Sequence, residues 1–174
     1  DKQIYIENNL IFDMNNNEVK AGSASDYGLV VDGVYTQFDN ANINSLGGGI
    51  GAVDGANVVF NSGNLAVNTT STSGRYNFYA VGNGTTVTIN GGNFSFSSTL
   101  NQKRAYIYAG SGATVYVKGG TFGKASTRDG YTAGILGNGN IVITGGTFGF
   151  NPTQWVASGY TATESNGTWT VTKE

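Results

Sequence analysis

Apolar and polar residues alternate with a period of two in short runs along most of this chain, and glycines close nearly every run. That period belongs to β-strands with one buried face. Four stretches carry it most clearly: GANVVFNSGNL from Gly55, GTTVTINGGNF from Gly84, GATVYVKGGTF from Gly112 and GNIVITGGTF from Gly139. A fainter copy, GVYTQFDNANI, starts at Gly33. The last glycine of the turn falls at Gly63, Gly92, Gly120 and Gly146, in steps of 29, 28 and 26 residues. A supersecondary unit repeated at a near-constant step predicts a solenoid in which each step is one coil.

Stacking the copies predicts which side chains share a column. Ile43, Leu65, Phe94, Phe122 and Phe148 fall in one inward ladder. In the preceding strand Val87 with Ile89, Val115 with Val117, and Ile141 with Ile143 point inward, while Thr88, Tyr116 and Val142 point outward. A further strand, aligned on the glycine that closes it, predicts a column of Val30, Ala52, Val81, Ala109 and Leu136, and places Tyr79 in the core. Asp32, Asp54, Asn83, Ser111 and Asn138 then precede turn glycines, where short polar side chains bond the backbone and glycine accepts positive φ.

The expected fold is an all-β, single-stranded parallel β-helix of about five coils spanning residues 27–150. The open ends of such a stack are exposed strand edges and need covering. Residues 1–26 depart from the repeat and are read as an N-terminal cap that lays Ile4, Ile6, Leu10 and Phe12 over the first coil. Residues 151–174 are read as a C-terminal cap, with Asn151 and Pro152 opening a short helical turn and Asn166-Gly167 turning a hairpin. The Ser-, Thr- and Asn-rich segments 66–75 and 95–104 are the expected lateral loops.

Composition removes several chemistries. The 174 residues include no Cys and no His, which excludes disulfides, thiolate or imidazole metal sites and His-based triads. No cofactor is implied. No apolar run approaches the roughly 18 residues of a membrane span, so membrane insertion is not expected. The chain starts at Asp1 rather than Met, which favours a piece of a longer protein. Net charge is −2, but residues 1–54 carry eight acids and two bases, whereas 55–128 carry six bases and no acid.

The GGTF-type repeats and the ending GGTFGFNPTQWVASGYTATESNGTWTV resemble the right-handed parallel β-helix proteins of gut bacteria and their phages, over roughly residues 50–174. The resemblance implies the handedness of the fold and an extracellular setting, on a bacterial surface or a virion. It implies no single chemistry, because pectin-lyase-like solenoids serve as lyases, glycosidases, adhesins and fibres.

Candidate sites follow from residue type. Asp32 and Asp54 are the best pair for a glycosidase, which needs two carboxylates across the scissile bond, but both stand in the turn column and turn stabilisation explains them without catalysis. Asp129 is a lone acid, and Lys103, Arg104, Lys118 and Arg128 are candidate bases for a lyase. Asp13, Asn15 and Asn17 offer oxygen ligands like the start of a calcium loop, but the distal acid would fall at Ala24. Tyr76, Tyr79, Tyr106, Tyr108 and Tyr116 accompany the bases of the middle coils, a mixture in which aromatic faces suit sugars and cations suit acidic polysaccharides or phosphate polymers, with Tyr116, Arg104 and Lys118 as the preferred glycan-binding residues. Nucleic acid is not an expected partner of a net-negative chain without a recognition motif. The sequence therefore points to a non-catalytic extracellular spacer with a glycan-binding surface. The alternatives are a polysaccharide-degrading enzyme and a structural subunit forming a homo-oligomer such as a trimer.

Overall fold

The computed structural model describes residues 2–23, 26–69, 74–96, 104–128 and 131–174, with backbone alone for 126–128 and 131–133. Three parallel sheets run its length, and the chain visits them in rotation for about five turns. The first sheet holds Ile4–Ile6, Tyr27–Asp32, Gly48–Val53, Arg75–Ala80, Arg104–Ala109 and Ile135–Gly137. The second holds Leu10–Asp13, Tyr35–Asp39, Asn57–Phe60, Thr86–Ile89, Thr114–Val117 and Asn140–Ile143. The third holds Val19–Ala21, Ala41–Ser45, Gly63–Val67, Asn93–Phe96, Thr121–Lys124 and Gly146–Gly149.

The core is built of columns, because parallel in-register pairing sets like positions one above the next. In the third sheet Val19, Ile43, Leu65, Phe94, Phe122 and Phe148 are successive partners, and all but Val19 are fully buried. In the second, Val58, Val87, Val115 and Ile141 form one column and Phe38, Phe60, Ile89, Val117 and Ile143 another, as the alternation predicts. In four coils a turn ending in glycine joins these two sheets. Gly63, Gly92, Gly120 and Gly146 all have φ between 102° and 114°, and a Cβ on Gly63 would sit 2.0 Å from the carbonyl oxygen of Ala41.

The first sheet departs from the predicted column. Its inward partners are Leu29, Ile50, Phe78, Ile107 and Ile135, followed two residues on by Val31, Ala52, Ala80 and Ala109. Val30 instead lies opposite Gly51, Leu136 opposite Tyr108, and Val81 falls beyond its strand. Alignment on the closing glycine fails because the corner changes length: it runs from Val31 to Gly33, from Ala52 to Gly55, from Ala80 to Gly84 and from Ala109 to Gly112.

Residues 4–21, read from the sequence as lying outside the repeat, supply one strand to each sheet in register with the next coil. Ile6 is buried by this, whereas Ile4 and Leu10 remain exposed. At the other end Asn151 accepts a hydrogen bond through Oδ1 from the Thr153 amide, and a 3-10 turn spans Thr153–Trp155. Val156 then bridges to Ile143, and the hairpin Tyr160–Ser165 with Thr168–Lys173 adds to the third sheet, setting Trp169 opposite Phe148.

Candidate functional site

The side chains singled out by residue type are distributed over different faces. Asp32 ends a first-sheet strand opposite Val53, while Asp54 lies one residue further along its own coil, exposed and with φ 51°. Asp13 Oδ1 accepts from the Asn15 amide at 2.9 Å and from Asn40 Nδ2 at 3.0 Å, and these bonds hold its carboxyl below the ordinary range. Asn17 Nδ2 donates to the Met14 carbonyl. The three residues of the calcium-like stretch thus build a coil corner. Ala24, Lys103 and Asp129 lie outside the described residues, as does the side chain of Arg128.

Tyr116 and Lys118 are both exposed, on and just beyond one second-sheet strand, with Tyr116 between Thr88 and Val142 in an outward column. Arg104 does not join them. It begins a first-sheet strand, is only 4% exposed, and holds its guanidinium 5.4 Å from the centre of the Phe96 ring. Burial lowers its pKa. Tyr106 is also core: its ring packs between Phe96, Phe122 and Phe150, and its hydroxyl donates to the Lys124 carbonyl.

The structure instead assembles four tyrosines on the outside of the first sheet. Tyr27, Tyr79 and Tyr108 follow one another with ring centres 5.1 Å apart at each step, at interplanar angles of 30° and 17°. Tyr76 joins the side of the stack, 6.0 Å from Tyr79 and 5.0 Å from Tyr108. Tyr79, expected in the core, faces outward because its neighbours Phe78 and Ala80 take the inward positions. The glycine-rich strand Gly48–Val53 makes room for the stack. Tyr27 starts the strand below it and Tyr79 lies on the strand above, and a Cβ on Gly48 would come within 2.3 Å of the Tyr27 ring.

Tyr27 was the member that residue reading missed. Its signal was the segment GGIGAV, whose glycines remove three side chains from one coil and open a trough beside a strand beginning with an aromatic residue. Burial raises the phenol pKa of Tyr27, Tyr76 and Tyr79, with neighbouring phenols adding to the effect, so their hydroxyls stay protonated at neutral pH. Among the described residues none of the four hydroxyls has a hydrogen-bond partner, whereas the Tyr35 hydroxyl bonds Gln37 and the Tyr106 hydroxyl bonds Lys124. The arrangement is an apolar stack carrying four unengaged hydroxyls, able both to pack against a ligand and to exchange hydrogen bonds with it.

Comparison with protein-family models, with curated proteins and with solved structures finds no match.

Proposed function

We propose that this chain is a non-catalytic β-solenoid module that works outside the cell, in a bacterial surface protein or a phage fibre, as a rigid spacer bearing a glycan-binding surface. The observation that carries the reading is the four-tyrosine stack with its unengaged hydroxyls. Sugars present hydroxyls alternating with patches of C–H, and a surface of ring carbons and phenols complements both. Tyr116 with Lys118 offers a second, smaller aromatic and cationic contact on the adjoining sheet.

Three acids outside the Asp32 and Asp54 pair are taken up in structural bonds. Asp39 accepts from Gln37 and Asn61, Glu18 from Asn44, and Asp13 from Asn40, so each serves as an acceptor in a coil-to-coil or corner bond. Such bonds supply the stiffness a spacer needs.

A glycan array including neutral and acidic polysaccharides, probed with the chain and with Tyr76→Ala/Tyr108→Ala, tests this. Selective binding that the variant loses, without release of reducing ends, is expected. Release of reducing ends would move the function to Asp32 and Asp54, and a blank array would leave the spacer role alone.

A further inference from the structure

The tyrosine stack has a repeat, and that repeat points to the shape of its ligand. Tyr27 stands opposite Gly48, but its ring leans over the glycine strand: a Cβ on Gly48 would come within 2.3 Å of the ring and one on Gly51 within 3.6 Å. Tyr79 pairs with Gly51 on one side and with Tyr108 on the other. Three rings therefore occupy three successive levels of the solenoid, 5.1 Å apart at each step. Neighbouring strands of a sheet lie about 4.7–4.9 Å apart, so the row runs nearly along the solenoid axis. Stacked on one another in this way, the rings offer a ligand beside them their edges and hydroxyls rather than their faces.

A polymer lying along the row meets one phenol every 5.1 Å, and its own repeat decides whether it can meet all three. An extended peptide advances about 3.3 Å per residue and a nucleic acid strand about 3.4 Å, so both fall out of step within one coil. A chain of pyranose rings joined equatorially through C1 and O4 is straight and advances by nearly the phenol repeat, because each step is one chair and one bridging oxygen. An axial bond at C1 curls the same chain into a helix that leaves the row.

We infer, resting on the glycan-binding reading above, that the stack takes a straight, equatorially 1,4-linked polysaccharide laid parallel to the solenoid axis, one sugar residue to each coil. Successive residues of such a chain are turned over, so the row meets alternate edges of the sugar. A phenol both donates and accepts, and each of the three unengaged hydroxyls therefore suits either edge. Tyr76, 6.0 Å from Tyr79 and 5.0 Å from Tyr108, adds a fourth hydroxyl at the side of the upper two levels. The row stops at apolar side chains in both directions, with Val30 opposite Gly51 below and Leu136 opposite Tyr108 above. Three levels make three subsites.

Titration calorimetry with oligosaccharides of one to five residues tests this, using β-1,4-linked glucose, mannose and N-acetylglucosamine beside α-1,4-linked glucose. In at least one β-1,4 series affinity should rise roughly three- to tenfold per added residue up to three residues and then level off. The α-1,4 series should bind at least roughly tenfold more weakly than that trisaccharide. Tyr108→Phe keeps its ring and should end the rise at two residues. Leu136→Tyr adds a level to the row and should carry the rise on to four, a gain that damage to the fold cannot produce. Affinity indifferent to chain length, equal for the two linkages, or absent from every β-1,4 series would overturn the inference. A glycan of another linkage retained on the array would then leave the glycan-binding reading standing, whereas a blank array would remove both.

Discussion

The rings of Phe122 and Phe148 lie 4.9 Å apart, 2° from parallel, on successive coils of the third sheet. Phe94 packs on the other side of Phe122 at 4.7 Å, so Phe122 is held between two like rings one repeat away in either direction. Phe122→Ala leaves a cavity in the middle of this ladder and is expected to cost about 3–5 kcal/mol, with Phe122→Leu costing much less. Urea unfolding followed by circular dichroism measures both.

Gly48 and Gly49 are neighbours with different expected tolerances. A Cβ on Gly49 would stand 2.3 Å from the backbone oxygen of Asn77, which the sheet holds in place, whereas the one on Gly48 meets the Tyr27 ring, which can swing away. Gly49→Ala should therefore destabilise the fold by roughly 2 kcal/mol or more. Gly48→Ala should leave more stability intact but change the near-ultraviolet circular dichroism of the tyrosine stack.

Asn61 links three coils at one corner. Its Nδ2 donates to Asp39 at 2.7 Å and its Oδ1 accepts from Asn90 Nδ2 at 2.6 Å. Asn61→Ala removes both bonds and should cost about 1–2 kcal/mol, against less for Asn90→Ala at the upper end of this short ladder. Thermal melting of the two variants compares them.

Alkali should loosen the protein through its buried phenols. Burial pushes Tyr106 up to about 12 from an ordinary value of 10.0, and Tyr27, Tyr76 and Tyr79 shift in the same direction. The folded state then keeps protons that the unfolded chain releases, so their contribution is complete below pH about 10 and is lost as pH rises toward 12. Melting temperature should fall over that window, and Tyr106→Phe should fall less steeply. Equal slopes would remove Tyr106 from the explanation.

The second and third sheets are legible in the sequence because in four coils a Ser-Gly or Gly-Gly turn separates their inward residues at fixed distance, three residues after Phe60, Ile89, Val117 or Ile143 and two before Leu65, Phe94, Phe122 or Phe148. The first sheet is not, because its corner lengthens between Ala80 and Gly84 and shortens again after Ala109, which shifts Val30, Val81 and Leu136 out of the expected column. The same shift reversed Tyr79 from core to surface and so concealed the stack it centres. Arg104 shows a different limit: its type suggests a surface cation, but its place at the start of the strand carrying Tyr106 tucks it against Phe96. Residues 4–21 lack the glycine punctuation of the other coils, yet their strands fall into the same register.

The most direct test of the glycan-binding surface separates its chemistry from its packing. Tyr76→Phe, Tyr79→Phe and Tyr108→Phe combined keep every ring and remove three unengaged hydroxyls. Titration calorimetry with a glycan selected from the array should show binding weakened at least roughly tenfold, the loss of one or more ligand hydrogen bonds, at an unchanged melting temperature. Unchanged affinity in this variant would contradict the account and leave the tyrosines as an outer staple between coils.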